Sequence, residues 1–138
     1  MKEILHKINN ACNGDVIFTG SVSELYQGAK DWANDIDIIL KDATPFRYCA
    51  NFSQHPSKSA YSKSGIRAIF YLHGKLVDAF IEQEYPEYVV IDGLKFETIE
   101  SMYKWSLQTV GRTWSMKYKK KLRDTFIVTG KQIGRAHV

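Results

Sequence analysis

The chain has few of the residues that mark disulfide-rich, metal-finger or membrane proteins. Its 138 residues include two cysteines, three prolines and four scattered histidines. Two cysteines make neither a disulfide framework nor a zinc site, so we expect two free thiols. No apolar run approaches the ~20 residues that a membrane helix needs, and charged residues near the N-terminus interrupt the apolar stretch that a signal peptide needs. These absences favour a soluble cytoplasmic protein.

The remaining composition is that of one globular domain. Charged residues make up 25% of the chain and hydrophobic residues 44%, close to the averages for folded domains. A chain of this length buries roughly two-thirds of the surface that its unfolded form exposes. The net charge of +4 is mild, and it permits a polyanionic partner without requiring one.

The last six residues are the subject of a separate hypothesis. The nucleotide string ATCGGAAGAGCACACGTC encodes Ile133–Val138 and is the start of a common sequencing adapter. We therefore interpret residues 133–138 as a non-native tail, and residues 1–132 as a domain whose natural C-terminus is missing. The alternative is an ordinary polar tail, which synonymous codons at these positions would favour.

Hydrophobic periodicity predicts an α/β or α+β domain in which helices flank a mixed sheet. The first predicted helix ends near Asn13-Gly14, and two hairpins turn at His73-Gly74 and Asp92-Gly93. Residues 41–65 are polar, and we expect mostly loop there, with room for a short helix. Further helices are predicted over 22–27, 99–110 and 115–128, and strands over 16–18, 35–40, 66–72, 75–82, 88–91 and 94–96.

Three aspartates in apolar strands carry the chemistry. Asp35 and Asp37 are two residues apart on one strand, so their carboxylates project from the same face. Like charges so placed need a compensating cation, and carboxylate oxygens suit Mg²⁺. Asp78 lies within another apolar strand, where a lone charge is costly. If the strands are neighbours, the three carboxylates can hold two metal ions, with Asp78 as the candidate general base.

A Gly-Ser turn precedes the aspartates. Gly20-Ser21 follows a short strand and begins a helix. Glycine lets a phosphate approach the backbone closely, the amides of a helix start bind anions, and the Ser21 hydroxyl adds a donor. The alternative is a plain turn and helix cap.

This pattern resembles the signature of the nucleotidyltransferase superfamily that includes DNA polymerase beta. The matching residues are Thr19-Gly20-Ser21, thirteen spacer residues and Asp35-Ile36-Asp37-Ile38, with Asp78 on a later strand. The resemblance implies the nucleotidyltransferase fold and Mg²⁺-dependent transfer of a nucleoside monophosphate from an NTP to an acceptor hydroxyl. It also implies that Asp35, Asp37 and Asp78 are catalytic ligands of two Mg²⁺ ions, with Mn²⁺ as an alternative, and that Gly20 and Ser21 bind the β and γ phosphates.

The C-terminal part resembles, more loosely, the small nucleotidyltransferases of abortive-infection and toxin–antitoxin systems. The matching residues there are Lys104, Arg112 and Lys121–Asp124. Members of the family often carry an arginine soon after the Gly-Ser, and this chain does not. The phosphates therefore need another cation. Lys104 is the predicted nucleotide-binding cation, and Lys30 is a second candidate.

The expected acceptor is RNA, such as a tRNA end, or a protein side chain. A partner protein or a missing C-terminal element would help to hold it, and no membrane is involved. The basic run over 117–123 is either a solvated helix face or a contact for phosphates. Two alternatives stay open. A small acceptor, such as an aminoglycoside, would be favoured by an acidic pocket, whereas a basic rim would favour RNA. A catalytically silent module would only bind nucleotide or RNA.

Overall fold

The computed structural model describes residues 1–56 and 64–109. Three α-helices and seven strands occur in this part of the chain, and the strands form one mixed sheet in the order β3-β4-β5-β2-β1-β7-β6. The helices are α1 (Lys2–Ala11), α2 (Gly20–Tyr26) and α3 (Ile99–Thr109), and the strands are β1 (Ile17–Thr19), β2 (Ile36–Leu40), β3 (Ala50–Pro56), β4 (Ile66–Leu72), β5 (Lys75–Ile81), β6 (Tyr88–Ile91) and β7 (Leu94–Glu97). The expectation of a mixed sheet with flanking helices is confirmed.

Two tight hairpins fix the register of four strands. The β4–β5 hairpin closes at His73-Gly74 and the β6–β7 hairpin at Asp92-Gly93, and all four turn residues have positive φ, between 50° and 77°. Such backbone angles belong to turns whose twist matches that of the flanking strands. Both predicted hairpins are therefore confirmed.

The two faces of the sheet have different roles. Ile36 and Ile38 of β2, with Val77 and Ala79 of β5, lie in the main core, which also contains buried residues of α1 and α2. Because side chains alternate along a strand, the residues between them point to the other face. That face carries the small apolar cluster of Ile17, Ile39 and Phe80, and it also carries the aspartates.

Strand β3 corrects the expectation that residues 41–65 are mostly loop. It pairs antiparallel with β4 at the edge of the sheet. Six of its seven residues are exposed, so its sequence lacks the apolar alternation that signals a half-buried strand. The expected short helix is present as a 3₁₀ turn over Thr44–Phe46, where the Asp42 carboxylate accepts a 2.9 Å hydrogen bond from the Thr44 amide.

Several predictions concern residues outside the described ranges. They include the second C-terminal helix over 115–128, the basic run over 117–123, Arg112, and the proposed boundary and tail at 132–138. Among the described helices, none combines the length and the apolar character that crossing a membrane requires.

Candidate functional site

The parallel pairing of β2 with β5 sets two of the predicted aspartates side by side. Asp37 is the register partner of Asp78 across the strand pair, and Thr19 of β1 is the partner of Asp37 on its other side. Asp35 is exposed and lies one residue before β2 begins. The structure therefore places all three predicted carboxylates at one end of the β2–β5 pair.

This arrangement disfavours a negative charge on Asp37. Burial, together with the nearby carboxylates of Asp78 and Asp35, raises the pKa of Asp37 to about 7, since each disfavours the negative charge on Asp37. The Arg67 guanidinium opposes this rise, and the buried Glu24 of α2 adds to it. A cation bound beside Asp37 would relieve this repulsion.

Arg67 is a site residue that sequence reasoning missed. Its Nε lies 2.6 Å from Oδ1 of Asp78, and the two side chains are 30% and 17% exposed. The signal was present in the β4–β5 hairpin, because the turn at His73-Gly74 pairs Arg67 with Phe80. Residues paired across strands share a face, so Arg67 lies diagonally next to Asp78.

Gly20 packs directly against the Asp37 carboxylate. A Cβ at position 20 would lie 2.3 Å from Oδ2 of Asp37, and Gly20 also has a φ of +62°. Both facts require glycine, because other residues carry a Cβ and rarely adopt positive φ. The sequence predicted the Gly-Ser turn from its place between a strand and a helix start, but it did not predict the contact with the aspartate.

Lys30 lies at the Gly-Ser turn. Its Nζ donates a 3.1 Å hydrogen bond to the Ser21 hydroxyl and lies 5.0 Å from the centre of the Trp32 ring. Lys104, the other candidate cation, lies on α3 with its Nζ 3.5 Å from Oε1 of Glu100. Within the described residues, the cation that contacts the turn is thus Lys30.

A buried polar network holds the elements behind the site together. The Glu97 carboxylate accepts a 2.6 Å hydrogen bond from the Thr19 hydroxyl and a 2.7 Å bond from the Ser101 hydroxyl. Its backbone carbonyl accepts hydrogen bonds from the Ser23 hydroxyl and the Gln27 amide. These bonds tie β1, α2 and α3 to the end of β7, and so help to fix the Gly-Ser turn.

An acidic cavity opens on the same face of the sheet. Its volume is about 320 Å³, and its wall includes Ile39, which follows Asp37 by two residues on β2. Four glutamates and one lysine supply the charged groups of the wall: Glu82, Glu84, Glu87, Glu97 and Lys104. The volume is within the range typical of small-molecule sites, and the charge favours a cationic ligand.

The fit of the aspartates to Mg²⁺ can be judged from their chemistry. Carboxylate oxygens are donors that Mg²⁺ prefers, and the charges of Asp78 and Asp35 add to the burial that raises the pKa of Asp37. Among the described residues, no group of three or more His, Cys, Asp or Glu side chains is placed so that it could hold a metal ion. The donor set fits Mg²⁺, whereas a closed three-ligand cage is not formed.

Comparisons with known proteins do not assign the chain to a family. No protein-family model matches it, and neither the curated proteins nor the solved structures include a significant match.

Proposed function

We propose that the protein is a Mg²⁺-dependent nucleotidyltransferase that moves a nucleoside monophosphate from an NTP to an acceptor hydroxyl. The observation that carries the proposal is the pairing of Asp37 with Asp78 across parallel strands, with Gly20 packed against Asp37. A mixed sheet with the aspartates on one face supports the nucleotidyltransferase fold. The contact of Gly20 with Asp37, and the pairing of Asp37 with the remote Asp78, also support this proposal.

Five residues would hold Mg²⁺, bind the phosphates and position the group that receives the proton. Asp37, Asp78 and Asp35 would hold Mg²⁺, which when bound supplies positive charge to the reacting phosphates. Ser21 would donate a hydrogen bond to the phosphates. Arg67 would keep the Asp78 carboxylate oriented through its bond to Oδ1, which leaves Oδ2 to receive the proton of the attacking hydroxyl. The new bond forms from the acceptor oxygen to the α phosphorus as the bond to pyrophosphate breaks.

The acceptor distinguishes two versions of this function. The net charge of +4 is compatible with RNA or a protein side chain as the acceptor, as the sequence suggests. The acidic cavity favours a second candidate, a small acceptor that carries both hydroxyl and ammonium groups. Glutamates repel a phosphate backbone and attract ammonium groups, so the cavity suits an amino sugar better than RNA.

Label transfer tests the activity and the acceptor class together. The protein would be incubated with Mg²⁺ and each α-³²P-labelled NTP, together with total RNA, cell-lysate protein or an amino-sugar mixture. Asp37→Asn tests the site, and Asp92→Asn is its matched control, because Asp92 is an exposed aspartate in a β-turn, paired with Lys2. We expect the label to transfer with the unmodified protein and the control, and transfer to be lost with Asp37→Asn.

The outcomes separate the alternatives. Label on RNA or protein supports the first acceptor class, and label on the amino sugars supports the second. Equal transfer by Asp37→Asn and the unmodified protein would refute the role of the aspartates. Mg²⁺-dependent NTP binding that survives Asp37→Ala, without transfer to any acceptor, would leave a catalytically silent binding module as the better account.

A further inference from the structure

The position of Lys30 is the feature that the fold explains least. Lys30 lies in the loop between α2 and β2, and its part-buried ammonium donates a 3.1 Å hydrogen bond to the Ser21 hydroxyl. The ammonium also lies 5.0 Å from the centre of the Trp32 ring, and the Trp32 side chain is 65% exposed. A hydroxyl and an aromatic face hold the charge in place without neutralising it.

The charge of Lys30 is therefore available to a ligand. Throughout 1–56 and 64–105, no carboxylate forms an ion pair with Lys30, whereas Arg67 is paired with Asp78 and Lys104 with Glu100. The Lys30 ammonium is bonded to the Ser21 hydroxyl, so it is oriented toward the Gly-Ser turn. An anionic group at that turn would be the natural partner.

We propose that Lys30 binds the β and γ phosphates of the NTP and takes the place of the arginine that this chain lacks after its Gly-Ser turn. The inference rests on the nucleotidyltransferase function proposed above, and it names the residue that recognises the triphosphate. When the bond between the α phosphorus and pyrophosphate breaks, the leaving pyrophosphate gains negative charge. The Lys30 ammonium lies where it would stabilise that charge.

The hydrogen bond from Lys30 also prepares Ser21. A serine hydroxyl has one proton to donate, and its oxygen can accept other hydrogen bonds. Because the Ser21 oxygen accepts from Lys30, its own proton is directed away from the ammonium and toward any phosphate that binds. Helix α2 has only seven residues, so these two side chains must supply most of the attraction that a longer helix dipole would provide.

Nucleotide binding by a set of matched variants tests the role of Lys30. Lys30→Met removes the charge but keeps a chain of similar length, and Lys30→Arg keeps the charge. Lys95→Met is the matched control, because the Lys95 ammonium also lies over an aromatic ring, 5.5 Å from the centre of Tyr88. Calorimetry in Mg²⁺ would measure the affinity of each variant for ATP, GTP, CTP and UTP, and for the monophosphate of the tightest binder.

The expected result is a loss that depends on the outer phosphates. A charged hydrogen bond of ordinary strength predicts that Lys30→Met weakens NTP binding about 10- to 100-fold. We expect the monophosphate to bind almost equally to both proteins, and Lys30→Arg to retain most of the NTP affinity. Lys95→Met should bind NTP as the unmodified protein does.

The opposite results are distinct from one another. Unchanged NTP affinity in Lys30→Met would overturn the assignment. An equal loss of affinity for NTP and monophosphate would also overturn it, because such a loss points to a structural role for Lys30. A larger loss in Lys104→Met than in Lys30→Met would assign the phosphates to Lys104 instead. If the unmodified protein binds none of the four NTPs in Mg²⁺, the proposed function itself fails, and Lys30 loses its role with it.

Discussion

Replacing Gly20 by alanine tests whether the Gly-Ser turn exists to accommodate Asp37. The added Cβ would lie 2.3 Å from Oδ2, 3.2 Å from Cγ and 3.3 Å from Cβ of Asp37. The first distance is far shorter than any stable contact, so the carboxylate must rotate or the turn must shift. Since Asp37 is confined between β1 and β5, neither movement is free.

The energetic cost has two parts, which a second glycine separates. Gly28 also has positive φ, +77°, but a Cβ there would meet nothing within 4 Å. A left-handed backbone costs an alanine about 1–2 kcal/mol, and the loss of unfolded-state freedom offsets about 0.4–1 kcal/mol of that. Gly28→Ala should show this net cost alone. Overpacking in Gly20→Ala adds about 1–3 kcal/mol, so Gly20→Ala should be less stable than Gly28→Ala by that amount.

Urea unfolding of the unmodified protein, Gly20→Ala, Asp37→Ala and the double variant would measure the steric clash. Gly28→Ala serves as the reference. In an Asp37→Ala background the carboxylate is absent, and only the Cβ contact at 3.3 Å remains. The cost of Gly20→Ala should then fall close to that of Gly28→Ala, which a double-mutant cycle reports as a coupling between positions 20 and 37. Equal costs at Gly20 and Gly28, or a coupling near zero, would refute the reasoning.

The consequence for function is separate from stability. Gly20→Ala forces the Asp37 carboxylate or the Gly-Ser turn out of its present position, whereas Gly28→Ala disturbs neither. We therefore expect Gly20→Ala to lose Mg²⁺-dependent NTP binding under conditions where both variants are fully folded. Retained binding in Gly20→Ala would show that the position of Asp37 matters less than the structure indicates.

Three further predictions follow from the charges of the site. In metal-free buffer, folded Asp37 keeps a proton between pH 3.8 and about 7 that the unfolded chain has released, so the free energy of unfolding falls as the pH rises through this window. Asp37→Asn should remove that part of the fall in urea unfolding, and parallel slopes would contradict the shift. Because Arg67 lowers the pKa of Asp37, Arg67→Gln should move the carboxyl NMR titration of Asp37 to higher pH, and an unmoved titration would exclude that coupling. Arg67→Gln also removes the ion pair with Asp78. We expect urea unfolding to show that this variant loses about 1–3 kcal/mol of unfolding free energy.

Local sequence determined the elements and the face on which the aspartates lie. Apolar periodicity predicted α1, and the His73-Gly74 and Asp92-Gly93 turns predicted two hairpins, because positive φ at both residues of a two-residue turn is a local requirement. The alternation of isoleucine with aspartate placed Asp37 opposite the core. Strand β3 was missed because its exposed, polar residues carry no such pattern, and only its hydrogen bonds with β4 make it a strand.

Tertiary structure decided which of these residues meet. The distance along the chain between Asp37 and Asp78 says nothing about their register, which the parallel pairing of β2 with β5 fixes. The contact of Gly20 with Asp37, the raised pKa that burial and neighbouring carboxylates produce, and the place of Lys30 at Ser21 all depend on packing across strands and loops. The sequence pattern therefore determined the helices, the strands and the face on which the aspartates lie, because these depend on local geometry. The three-dimensional fold determined distances and charge interactions, because these depend on segments remote in sequence.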